Sequence, residues 1–405
     1  MSPAGVDTVA AGLAQWHFRR DGFVVQRPVF PGESTTFPLV AVRTGRRSDL
    51  PVLFIPGGPG MGSVLPYAGL RAAAARRGLD SIMVEHRGVG LSRHDRYGRD
   101  LPVPAITLVS AADDLAAVVR HCGVSQVVVY GSSYGSCLAQ VFAARHPELV
   151  AAMALDSPLL SVEEDLAMVR AHRRSLLWHG EDPGLVAVAS AVHDLADLGV
   201  PMAEISHVVE VVYEFAGART LLRLLRARRL DRLLPIWHQI SRLGKHYLEG
   251  PGLRFVTEPD LVAGIAYGEL GFGLPPDGQP LDPQLHFAAV ADRQPSYRGQ
   301  PLDLPARLAE FKRPLAVVSG QRDLRTPRPV AERAVALAPE AVLVRLPKVG
   351  HSALDTHQLA AVGVARALTI GAAQHLPMEA FRFAALPRRG TSHRLGPVLN
   401  AVTRL

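Results

Sequence analysis

Cysteine is scarce in this 405-residue sequence, with only Cys122 and Cys137, so a disulfide framework is neither suggested nor needed for a chain of this size. Lysine is nearly as rare, confined to Lys245, Lys312 and Lys348, and the net charge of +7 is therefore carried by arginine. No run reaches the roughly 18 consecutive apolar residues that a membrane-spanning helix needs. Met1–Gln15 lacks the cationic start, apolar stretch and small-residue cleavage site of a secretory signal, and a cytoplasmic protein is the expectation. No internal repeat is visible.

With 48% hydrophobic and 20% charged residues, the composition is that of a globular protein. Its length exceeds the roughly 100–200 residues of a usual domain, which implies one large domain with an insertion, or two domains. Two short β-rich runs, 22–29 and 36–43, are separated by Pro31, Gly32 and Glu33 and read as a hairpin. Strands and helices then alternate. Apolar runs at 52–55, 81–84, 127–130 and 151–155 read as strands, and helix-like stretches at 66–77, 110–121 and 134–146 lie between them. From 161 to about 311 the pattern is helical, with proline- and glycine-rich loops. Strands return at 315–319 and 341–346, each followed by a helical pattern.

This rhythm predicts an α/β class: a doubly wound, mostly parallel sheet flanked by helices, with a helical cap inserted late in the strand order. The expected organisation is a discontinuous core of 1–160 and 312–375, a cap of 161–311, and a tail of 376–405 without a clear element. Arginines and leucines interleave over 219–232 as an amphipathic helix. A solvated basic face explains it, and membrane or acidic-partner binding is the alternative.

Gly131-Ser132-Ser133-Tyr134-Gly135 follows the valines of one strand and opens a helix. A serine on such a crowded turn projects its oxygen above the sheet at a helix N-terminus, which makes Ser133 the candidate nucleophile. A serine hydroxyl needs a base to take its proton and an acid to orient that base. Asp323 and His351 each lie just after one of the last two strands, so all three converge at one edge of the sheet. Taken alone, Asp323 also reads as a helix-capping turn residue and His351 as a surface histidine. Their joint placement favours the catalytic reading. Cys137, four positions after Ser133, is framed by no such turn and reads as a core residue. Pro56-Gly57-Gly58-Pro59-Gly60 follows the strand 52–55, where an oxyanion hole draws its second donor. The amides of Gly58 and Tyr134 are the candidates.

Three blocks carry a family resemblance. Residues 56–60 are similar to His-Gly-Gly-Pro-Gly, Glu85-His86-Arg87-Gly88-Val89-Gly90-Leu91-Ser92 resembles Asp-Gln-Arg-Gly-x-Gly-x-Ser, and 131–135 resembles Gly-Gly-Ser-Trp-Gly. These are blocks of the α/β-hydrolase superfamily, and within it of the serine peptidase family that includes proline iminopeptidase. The resemblance implies a catalytic triad, a helical cap over the site, and hydrolysis with no cofactor or metal. Pro56 replaces the histidine of the first block and Glu85-His86 the Asp-Gln of the second, which alters the surroundings of the oxyanion hole. Arg87 reads as structural, paired with nearby backbone or acid.

Aminopeptidases of this family hold the substrate's amino terminus with cap carboxylates, because a buried ammonium needs an opposite charge. Glu269, between aromatic and glycine neighbours, is the first choice, and Glu163, Glu164, Asp165, Glu181 and Asp182 are the other candidates. Each also reads as a helix cap or solvated acid. The expected partner is a small-molecule or short-peptide substrate, with no nucleic acid and no stable membrane association. The expected activity is that of an aminopeptidase. The alternatives are an esterase, thioesterase or amide hydrolase on a small metabolite, and a non-catalytic or membrane-associated binding protein on the same fold.

Overall fold

A computed structural model of the protein describes residues 3–244, 250–390 and 392–404. The parts of the expected cap and tail at 245–249, 391 and 405 lie outside the described residues. Eight strands form one sheet: β1 (Gly22–Pro28), β2 (Thr36–Thr44), β3 (Val52–Ile55), β4 (Ser81–Val84), β5 (Val127–Ser132), β6 (Val150–Asp156), β7 (Leu315–Gly320) and β8 (Ala341–Leu346). Their order is β1-β2-β4-β3-β5-β6-β7-β8. β1 and β2 pair antiparallel, as does β2 with β4, and every other pairing is parallel.

The central strands are buried along their whole length, which explains why they read as unbroken apolar runs rather than alternating ones. Their side chains nonetheless divide between two layers. Leu53, Val129 and Val317 face one core, beneath α3 (Leu108–His121) and α4 (Tyr134–Arg145); Phe54, Tyr130 and Val318 face the other. Because the chain steps outward from β3 to β4 and then returns to place β5 on the other side of β3, a crevice opens beyond the carboxyl ends of β3 and β5. The proline- and glycine-rich loop after β3 and the Ser133 turn after β5 both reach that crevice.

Between β6 and β7 the chain is helical: α5 (Val162–Leu177), α6 (Val186–Asp197), α7 (Met202–Ala216), α8 (Ala218–Arg229) and α9 (Leu234–Ser241), then short turns and loops. These helices have their own apolar cluster, which includes Leu177, Val192, Val208, Leu224 and Trp237. The arginine-rich α8 buries Leu221, Leu224 and Leu225, while Arg229 pairs with Asp194 at 3.0 Å and Arg223 donates to Asn400 Oδ1 at 2.7 Å. Part of its basic face is thus held within the chain.

Two regions without an expected element are helical. Pro3–Asp21 forms α1, most of whose side chains are exposed or half-buried and so leave little apolar periodicity. The tail, in which no clear element was legible, contains α10 (Leu376–Ala384) and α11 (Leu395–Val402). The first buries Leu376, Ala380 and Phe383 at helical spacing, with Phe383 filling the space that Gly363 leaves open. The second lies against α7, where a Cβ on Gly396 would come within 2.3 Å of the Phe215 carbonyl oxygen. Pro387, Gly390 and Pro397 punctuate this stretch and obscure its pattern.

Arg87 anchors the loop after β4. Its Nε and Nη2 donate to the two Asp114 carboxylate oxygens at 2.7 and 2.8 Å, and its Nη1 donates to the Ala105 carbonyl at 2.7 Å. Both partners are buried, so removing one leaves an uncompensated charge in a low-dielectric interior. Asp114→Ala is expected to cost about 3–5 kcal/mol in urea unfolding. A loss below ~1 kcal/mol would show that the ion pair does not hold this loop.

Candidate active site

Ser133 has φ 52° and ψ −122°, a left-handed conformation that a non-glycine residue adopts only under local constraint. The constraint is backbone crowding. A Cβ on Gly131 would lie 2.1 Å from the Gly135 carbonyl oxygen, and one on Gly135 would lie 2.2 Å from the Ile55 carbonyl oxygen. Only glycine fits at either position. The Ser133 amide donates to the Asp156 carbonyl at 2.8 Å, which leaves its side chain at the rim of the sheet.

Asp323 sits in the tight loop after β7. Its Oδ1 accepts the amides of Arg325 and Thr326 at 3.0 and 2.9 Å, and its Oδ2 accepts the Thr326 hydroxyl at 3.0 Å. Both carboxylate oxygens lie 3.1 Å from His351 Nδ1, and His351 Nε2 lies 2.8 Å from Ser133 Oγ. A carboxylate can only accept, so the proton of the neutral ring is on Nδ1 and Nε2 is free to accept from the serine hydroxyl. Burial works to raise the Asp323 pKa, but the charge and hydrogen bond of His351 outweigh it and hold the acid below its ordinary range. For His351, burial pushes the pKa down, while the charge and hydrogen bond of Asp323 prevail and raise it above 6.5.

The histidine loop is braced by residues that the sequence reading did not single out. Buried Asp156 accepts the amides of Ala353 and Leu354 at 3.1 and 2.9 Å, and Ser157 Oγ accepts the Ser352 amide at 2.9 Å. On the opposite side, a Cβ on Gly57 would sit 3.3 Å from Ser133 Cβ, which places the loop after β3 against the serine. Gly58, with φ +119°, lines the same cavity as Ser133. Tyr134 opens α4, so its amide has no intrahelical acceptor.

That cavity encloses about 1050 Å³ beneath the helical segment, at the upper end of ordinary ligand sites. Its walls include Val169 and Arg173 on α5, Glu210 and Glu214 on α7, and Tyr267, Phe272 and Phe287 from the later loops. Of the six candidate carboxylates only Asp165 lines it, and its Oδ2 already accepts the Leu160 and Ser161 amides at 2.6 and 3.2 Å. Glu269 is buried, and its Oε2 accepts the Leu108 amide at 2.8 Å, which satisfies the N-terminus of α3. Glu181 is exposed and accepts the Ser175 hydroxyl at 2.6 Å, and Glu163 is exposed in the first turn of α5. Neighbouring Cys137 is fully buried, which pushes its thiol well above the usual range.

Glu210, Glu214, Asp260 and Asp355 line the cavity as well, and the two glutamates stand one turn apart on α7. Glu210 pairs with Arg173 at 2.9 Å and with Arg325 at 3.0 Å. Burial works to raise its pKa, but the two guanidiniums hold it down at about 2. Glu214 Oε1 accepts the Leu324 amide at 2.9 Å, and its other oxygen lies 3.4 Å from Arg325. Burial pushes Glu214 up to about 7. A pair of glutamates at i and i+4 in the valine-rich half of this helix was the available signal for this face. Among the described residues no group of three or more His, Cys, Asp or Glu could hold a metal ion, and no helix is long and apolar enough to cross a membrane.

Residues 51–205 match the alpha/beta hydrolase fold family. A proline iminopeptidase of Neisseria meningitidis is 30% identical over 112 residues, which is 28% of this chain and 34% of that protein. The chain thus spans about a third of the length of the first curated relatives it matches. A protein of Leptolyngbya boryana named "Probable proline iminopeptidase" is 22% identical over 347 residues, covering 82% of this chain and 93% of the other. Among solved structures, proline iminopeptidase of Mycobacterium smegmatis superposes with a TM-score of 0.48 at 18% identity, covering 86% and 98% of the two chains.

A raised imidazole pKa makes folding stability depend on pH. The contribution of the His351–Asp323 contact is fully present below the unfolded value near 6.5 and is lost as pH rises through the folded value. The stability difference between wild type and His351→Gln in urea unfolding is therefore expected to be larger at pH 5.5 than at pH 8.5. A difference that grows with pH would mean that the folded pKa is depressed instead.

Proposed function

From the premise that the chain has the α/β-hydrolase fold and resembles proline iminopeptidases, we propose that it is a serine hydrolase working through an acyl-enzyme. The observation that carries this reading is the run of contacts from Ser133 Oγ through His351 to Asp323, at 2.8 and 3.1 Å. His351 Nε2 takes the hydroxyl proton as Ser133 Oγ bonds to the carbonyl carbon of an amide or ester. The carbonyl oxygen becomes an oxyanion, held by the amides of Gly58 and Tyr134. Its collapse breaks the bond to the leaving amine or alcohol, which receives the proton from His351. Water, deprotonated by His351, then releases the acyl group from Ser133. No step calls for a metal or cofactor.

Residues 161–311 act in this reading as a cap over a core of 1–160 and 312–375, with 376–405 as a closing segment. An aminopeptidase acting on short peptides is the leading activity, on the strength of the relatives' names. Glu214 on α7 takes the place of Glu269, Glu181 and Glu163 as the carboxylate for a substrate ammonium, because it lines the same cavity as Ser133. A second reading, an esterase or amide hydrolase on a larger apolar metabolite, draws support from the same cavity. Glu210 and Glu214 are already matched by Arg173 and Arg325, and Tyr267, Phe272 and Phe287 add aromatic surface to the wall.

A fluorophosphonate probe is expected to label the wild type and not Ser133→Ala; equal labelling would remove Ser133 from the chemistry. The labelling rate is expected to rise with pH through an apparent pKa above 6.5, since only neutral His351 accepts a proton. A panel of aminoacyl arylamides, N-blocked arylamides and acyl esters separates the two activities. For the aminopeptidase, Glu214→Gln raises KM for free-amine substrates about 10–100-fold, in keeping with loss of a buried charge partner. Cleavage confined to blocked amides or esters would decide for the second reading.

A further inference from the structure

The side chain of Tyr134 is as constrained as its backbone. It is 2% exposed, and its buried hydroxyl requires a partner. That partner is His86, from the loop after β4, whose Nε2 lies 2.7 Å from the Tyr134 hydroxyl oxygen. The other ring nitrogen, Nδ1, lies 2.7 Å from the Arg87 carbonyl oxygen. A carbonyl only accepts, so the His86 proton is on Nδ1, and the bare Nε2 accepts from the tyrosine hydroxyl. The Arg87 carbonyl is itself fixed, because the guanidinium of that residue grips Asp114 through two hydrogen bonds. Asp114, Arg87, His86 and Tyr134 thus form one chain of contacts running from the body of the core to the first residue of α4.

Tyr134 also bears the amide proposed as one oxyanion donor, and it directly follows Ser133 with its left-handed backbone. Helical hydrogen bonding cannot aim that amide, because the first N–H groups of a helix have no partner within it. A small pocket of about 20 Å³ is lined by Gly57, Met61, His86 and Tyr134, which sets the imidazole beside Tyr134 and the loop after β3. Resting on the serine-hydrolase reading, we propose that His86 is a positioning residue for catalysis: by holding the Tyr134 hydroxyl, it aims the Tyr134 amide at the developing oxyanion. It touches neither substrate nor reacting atoms and acts through the tyrosine alone.

The test uses p-nitrophenyl acetate as the acyl donor, with kcat, KM and thermal midpoint measured for His86→Phe, Tyr134→Phe, the double variant and His86→Gln. Loss of an entire oxyanion donor costs on the order of 100-fold to 1,000-fold, and a misaimed one less. Each single variant is expected to lower kcat about 10–100-fold with KM within about twofold, because the lost interaction exists only in the transition state. The double variant is expected to match the worse single one, since both remove the same link. His86→Gln, which offers a carbonyl oxygen in place of Nε2, is expected to recover to within about fivefold of wild type.

Single losses that multiply in the double variant, a loss confined to KM, or a lowered thermal midpoint with unchanged kcat would each overturn the proposal. If His86→Phe does not fold, Tyr134→Phe removes a single oxygen atom and answers alone. A wild type whose Ser133 is never acylated would sink the hydrolase reading itself, an outcome distinct from an active enzyme indifferent to His86.

Discussion

Backbone crowding around Ser133 sets the terms for everything near it. Between the end of β5 and the start of α4 the chain must turn within a few residues while passing against the carbonyls of β3, and two glycines make room for that approach. The serine between them takes the conformational cost, with φ 52°, and its side chain is left standing at the rim of the sheet. Holding a residue in this state requires rigid surroundings. The buried parallel strands supply them: neighbouring strands are bonded along β5, and apolar layers cover both faces. The loops that carry Asp323 and His351 leave the same edge, so their contacts are made between ends of one stiff sheet.

The parts legible in the sequence are those where local chemistry has one solution. The runs at 127–130 and 315–319 could only be interior strands, and glycines flanking a serine at a strand end point to a turn that no other residue tolerates. Asp323 and His351 were locatable because loop positions after consecutive parallel strands are neighbours in space. The Arg87–Asp114 pair follows the same logic, with an arginine that had to find an acid. His86 appeared in the sequence as part of a departure from one resembled block and Tyr134 as an oxyanion-hole candidate in another, and the structure joins them in a single hydrogen bond.

The helical segment was far less legible, for a physical reason. A sheet rim imposes fixed positions on its loops, whereas helices packed over it meet wherever their apolar faces fit. Glu269 stood among aromatic and glycine residues, yet its carboxylate meets the Leu108 amide in the first turn of α3, one that the Thr107 cap does not reach, instead of entering the cavity. Glu210 and Glu214 were hidden in a helix dominated by valine and isoleucine, whose apolar side builds a separate core. The tail escaped notice because its helices are short and interrupted by proline, though Leu395 reaches the cavity wall.

Glu214 connects roof and floor. It belongs to α7, yet its two oxygens meet the Leu324 amide and the Arg325 guanidinium, the first two residues beyond Asp323. The helix that carries it is therefore tied to the turn that sets Asp323 against His351. Any displacement of α7 is thereby passed, through one side chain, to the distance between a carboxylate and an imidazole that belong to other parts of the chain.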